Sequence, residues 1–138
     1  MTDEPVASKR AEESEKITIN LGYVDLGRID LMVRDGFYSN RSDFIRTAIR
    51  NQLTAHADVI ARSVERRTLE LGLRDITRAE LEAARAEGAT LHIRVVGLAR
   101  FAPDVTPDLA AATIGSITVL GALQASPAIR SALSDRIR

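Results

Sequence analysis

At 138 residues, with 45% apolar and 28% charged side chains, the chain has room for one domain or for a small binding unit plus a second module. Its formal net charge is zero and it has no cysteine. Disulfides, thiolate metal sites and a cysteine nucleophile are excluded, and any contact with nucleic acid must come from a local patch rather than bulk charge.

Residues 1–14 carry two basic and four acidic side chains and read as a flexible tail. Neither they nor any later stretch has an apolar run suited to a signal peptide or a membrane span, so a cytoplasmic protein with no membrane partner is expected. From residue 16 the sequence Lys16-Ile17-Thr18-Ile19-Asn20-Leu21 alternates with a period of two, apolar side chains on one face and polar on the other, which predicts a short half-buried strand. Residues 24–34 follow with Leu26, Ile29 and Val33 at helical spacing, Asp25 near the positive end, and Asp35-Gly36 as a stop. The junction Gly22-Tyr23 fits neither element.

After Phe37, Tyr38 and Ser39, the run Asn40-Arg41-Ser42-Asp43 has the form of an N-cap with an acidic residue three positions on. The helix it opens has Phe44, Ile45, Ala48, Ile49 and Leu53 on one face and is expected to continue to about residue 67. A strand without a partner in its own chain leaves its backbone donors and acceptors unpaired, so a second copy is the expected source of the ladder. Two such strands, antiparallel about a two-fold axis, make a ribbon that the DNA major groove can admit.

The order of alternating strand, short helix ending at Gly36, and the phrase from Gly36 through Ser39, Asn40, Arg41, Ser42 and Asp43 to Arg50 resembles the ribbon-helix-helix regulators of the CopG, Arc and MetJ group over residues 15–53. The resemblance implies a homodimeric, sequence-specific DNA-binding transcriptional regulator, in the sense of a repressor. It places base reading on Lys16, Thr18 and Asn20, and phosphate binding on Ser39, Asn40, Arg41 and Ser42. The residue types agree, since lysine, threonine and asparagine all have partners on base edges and a helix N-terminus is an anion site. Residues 15–54 carry six basic and five acidic side chains, a modest excess for a DNA reader.

Residues 55–67 read as a helical extension and residues 68–138 as a second module. Thr68 to Leu73 alternates, and Thr77-Arg78-Ala79-Glu80 opens a capped helix that Gly88 ends. Ile93-Arg94-Val95-Val96-Gly97 lies over Ile117-Thr118-Val119-Leu120-Gly121 at an offset of 24, with Leu69 and Leu71 as a looser earlier copy at the same offset. Three strand-helix units are expected, built as parallel strands with crossover helices or as a short solenoid, for an α/β fold, α+β overall. Gly97 and Gly121 read as bends or close backbone approaches. His56 and His92 lack ligand spacing, and neither a cofactor motif nor a nucleophile with a base is present, so no metal, cofactor or enzymatic activity is expected. This half, aliphatic and poor in charge, suits subunit packing and a dimer of dimers. Binding of a partner protein, as in an antitoxin or adaptor, and assembly by the repeat alone are the alternatives.

Overall fold

The computed structural model describes residues 13–138, so most of the expected tail, residues 1–14, lies outside the described residues. The chain divides into two units, one ending at Ser63 and the other beginning at Val64.

In the first unit, residues 14–22 have no regular secondary structure. The strand expected at 16–21 is absent from the single chain for the reason that made a second copy necessary, namely that no neighbouring strand offers it a ladder. Helix α1, Tyr23–Arg34, begins directly at the unassigned junction, with Gly22 as an extended N-cap that has no side-chain cap. It ends in a Schellman turn: Phe37 N–H donates to the Met32 carbonyl, Gly36 N–H to the Val33 carbonyl, and Gly36 takes a φ of 86°. Helix α2 spans Arg41–Ala55 and helix α3 spans Ala57–Arg66. The single helix expected to residue 67 is thus broken at His56, whose N–H is shared between the carbonyls of Gln52 and Leu53, a tightened last turn that ends α2 without glycine or proline.

The second unit alternates strand and helix: β1 Glu70–Ile76, α4 Arg78–Glu87, β2 Leu91–Phe101, α5 Pro107–Thr113, β3 Ile114–Gln124 and α6 Pro127–Ala132. Each helix is entered through a hydroxyl cap. Thr77, Thr106 and Ser126 accept from the N–H groups of Glu80, Leu109 and Ile129, and Pro107 and Pro127 sit in the first turn where no N–H is needed. The strands form one parallel sheet in the order β1-β2-β3. Ile76, Ile93, Val95, Ala99, Phe101 and Ile117 turn to the helices and pack with Leu81, Leu109, Ile129 and Leu133 in a single core. The C-terminal residues run beside the start of β3, where Ile117 donates to the Arg136 carbonyl and Arg138 donates to the Ile117 carbonyl.

Register in this sheet is set by glycine. Gly72 lies opposite Gly97 and Gly97 opposite Gly121, with φ values of 124°, 136° and 120°. A Cβ on Gly97 would stand 2.2 Å from the Gly72 carbonyl oxygen, and one on Gly121 would stand 2.1 Å from that of Gly97. These are the close backbone approaches the sequence suggested. They also correct the first repeat, because stacking Gly72 on Gly97 requires an offset of 25 rather than 24 and sets Leu71 opposite Val96, not Val95. One residue of slip reverses the face, so Leu71 lies on the side away from the helices.

Because Gly97 and Gly121 are barred from a Cβ both by contact and by φ, Gly97→Ala and Gly121→Ala are each expected to cost about 2–5 kcal/mol. Gly72→Ala meets only the conformational penalty, about 1–2 kcal/mol, since nothing lies within 4 Å of its added Cβ. Urea denaturation of the three variants checks the order.

Candidate nucleic-acid interface

The site is built on α1, α2 and the segment before them. Asn40, in extended backbone, caps α2 by accepting from Asp43 N–H at 2.8 Å, and the Asp43 carboxylate accepts from Ser39 N–H at 2.9 Å. The reciprocal pair is a capping box in which the acidic residue reaches one position further back than usual. It fixes the turn from Ser39 into the helix and leaves the amides of Arg41 and Ser42 without an acceptor among the described residues. Tyr38 packs edge-on against Phe44, ring centroids 4.9 Å apart, and holds the same turn from its apolar side. Free amides at the positive end of a 15-residue helix make a site for an anion.

Ser39, Asn40, Arg41 and Ser42 are brought together there, and all are exposed. The Arg41 side chain has a task of its own: its guanidinium donates two hydrogen bonds to Asp30, at 2.7 and 2.8 Å, joining α2 to α1. The hydrogen bond from Arg41 holds the Asp30 carboxyl below its ordinary range, and Asp30 raises Arg41 in turn. Asp30 was not legible as a partner, since nothing in the spacing of residues eleven apart on two helices announces a contact.

Lys16, Thr18 and Asn20 are exposed along the segment before α1. Their apolar alternates are exposed too: Ile17 keeps 71% of its surface, Ile19 56% and Leu21 40%. Ile19 and Leu21 line an open apolar groove of about 400 Å³ with Ile29, Phe44, Ile45 and Ile49. Neither α2 nor α3 has a buried residue, and α1 buries only Ile29. This unit therefore leaves uncovered the apolar face that its two helix patterns define.

A pair of capped helices preceded by an alternating segment that lacks a ladder is the arrangement expected of one copy of a ribbon-helix-helix unit. The chain belongs to the ribbon-helix-helix transcriptional regulator family, which it matches over residues 12–130. The match runs through the second unit as well, beyond the residues 15–53 on which the resemblance rested. No curated protein and no solved structure matches the chain. Among the described residues no helix is long and apolar enough to cross a membrane, and no cluster of histidine and acidic side chains is placed to hold a metal.

A carboxyl with a depressed pKa stabilises the fold fully above its ordinary range and loses that contribution as pH falls through the folded value. The Asp30 tie is therefore present at neutral pH and is lost as pH falls through and below the ordinary carboxylate range. Carboxyl NMR should find Asp30 titrating below the ordinary aspartate range, and Arg41→Gln should move the midpoint back up.

Proposed function

We propose that this regulator is a sequence-specific repressor that binds DNA as a homodimer. Residues 16–21 of two copies pair antiparallel, set Ile17, Ile19 and Leu21 onto the uncovered grooves, and carry Lys16, Thr18 and Asn20 into the major groove. The observation that carries this reading is the coincidence at 16–21 of a missing ladder, exposed apolar alternates and an open groove beside them. A first unit with one buried side chain among its described residues gains its core when a second copy covers it.

Once the ribbon is seated, the start of α2 holds a backbone phosphate. The Arg41 and Ser42 amides donate directly, the hydroxyls of Ser39 and Ser42 add donors, Asn40 holds the turn, and the Arg41–Asp30 tie sets the distance between the phosphate site and α1. Phosphate contacts fix register, and the ribbon side chains specify sequence. Occupying the groove excludes other proteins from the same base pairs, which is the physical basis of repression. The protein acts by binding and not by catalysis. The single excess positive charge over residues 15–54 makes one dimer a modest binder and favours sites that take more than one.

Selection of bound sequences from random duplexes should return a short palindromic motif. Thr18→Ala and Asn20→Ala should each reduce discrimination at one position by about 1–3 kcal/mol, while Arg41→Ala should weaken binding to all duplexes alike. A chain that retains all duplexes equally, with variants that change nothing, overturns the reading. Ile19→Asp should separate the N-terminal pair and abolish binding to every duplex, because it charges the face on which the two copies meet.

A further inference from the structure

The second unit ends in two open sheet edges that fit each other. We propose that copies of this chain join head to tail, β1 of one extending the sheet of the next beside β3, in the register Gly72 to Gly121. The contact is separate from the N-terminal dimer and does not rest on the DNA reading.

The first argument is the match of the edges. β2 and β3 each have eleven residues and β1 has seven. Residues 136–138 of the same chain already flank the start of β3 at Ile117. Continuing the internal pairings, in which Glu70 lies opposite Val95 and Val95 opposite Val119, sets an incoming Glu70 opposite Val119 and an incoming Asp75 opposite Gln124. Six of the seven residues of β1 thus fall on β3, and none on the stretch paired at Ile117.

The glycines give the second argument. In the sheet a glycine carbonyl fills the space where the next glycine's Cβ would be. At Gly72 that space is empty, although its φ of 124° lies between the 120° and 136° of its stacked equivalents. The Gly121 carbonyl of a second copy, placed as Gly97's is toward Gly121, enters it.

Third, the exposed leucines are those that lack a flanking strand. On the helix-free face Leu71, Val96 and Leu120 form one row and Leu73, Leu98 and Ala122 another. Leu98, flanked on both sides, is only 9% exposed, whereas Leu71 is 68% and Leu120 53% exposed. Edge addition sets Leu120 beside the second copy's Leu71 and continues both rows. It also continues the polar row of Asp75, Arg100 and Gln124, in which Arg100 already donates to Asp75 at 2.9 Å, by bringing a Gln124 amide beside an Asp75 carboxylate. Edge strands that stay single are usually guarded by charge or proline. β3 has neither from Ile114 to Gln124. Arg130 donates to the Leu123 carbonyl, and this flexible side chain is the cap that an arriving strand replaces.

Light scattering of the full chain without DNA, across a range of concentrations, tests the contact. The wild-type mass should rise continuously instead of stopping at two chains. Leu71→Lys with Leu120→Lys puts like charges directly opposite across the new pairing and should raise the concentration at which growth begins by about tenfold or more. Leu71→Glu with Leu120→Lys puts opposite charges there and should keep growth. Both positions are exposed, and an unchanged urea midpoint shows that the fold is intact. In an Ile19→Asp background growth should proceed by single chains, so failure of the N-terminal dimer and failure of this contact read separately. Wild-type mass that stays fixed, or stops at four chains as two-fold edge pairing would give, overturns the proposal. So does loss of growth in the Glu/Lys variant, which would mark the helix-free faces as stacking on each other.

Discussion

The Gly72 carbonyl stands where a side chain on Gly97 would begin, and the Gly97 carbonyl does the same to Gly121. Everything in the second unit follows from this contact. Once the glycines are stacked, the strands have one register, and that register decides which side chains meet the helices and which form rows on the open face. The short helices add little stability of their own at six to ten residues. They are held by hydroxyl caps at one end and by Leu81, Leu109, Ile129 and Leu133 in the core.

The first unit lacks such a device. Its helices are well terminated, by the Schellman turn at Gly36 and the cap at Asn40, and they are tied by Arg41 and Asp30. Yet the tie is half exposed, where ion pairs contribute little, and among the described residues of this unit Ile29 alone is buried. Local structure is specified and packing is not. The unit has the propensities and caps of a folded domain without its hydrophobic interior, which is the condition of a protein that folds as it associates.

Caps and turns were legible in the sequence because each depends on one or two residues close in the chain. The Asn40 and Thr77 caps and the Gly36 and Gly88 stops belong to this class. Features that depend on distant groups were not. Leucine spacing set Leu71 over Val95, because an offset of 24 preserves alternation as well as 25 does until Gly72 must meet Gly97. The repeat lay in the strands alone: with caps at Thr77, Thr106 and Ser126 the helices begin at unequal spacings. In the site, the residues of the α2 cap were named from their types, whereas the Asp30 partner of Arg41 required the crossing of two helices.

The two units pose the same physical problem at different scales. Each presents backbone that a single chain leaves unpaired, the segment 16–21 in one and the edges of β1 and β3 in the other. In the first the unpaired element is its own complement, so the proposed dimer, with its two copies related by a two-fold axis, satisfies it and closes. In the second the two edges differ, so the proposed head-to-tail contact satisfies one and always leaves another, and such an association is open. A closed contact and an open one in the same chain would give a row of dimers. For a DNA reader with little excess charge this would matter, because once one dimer is bound its neighbour is presented to the next site at an effective concentration set by the tether rather than by the bulk solution. On the two proposals together, affinity comes from the number of linked ribbons on one stretch of duplex, and a weak reader becomes selective for operators in which its half-sites recur.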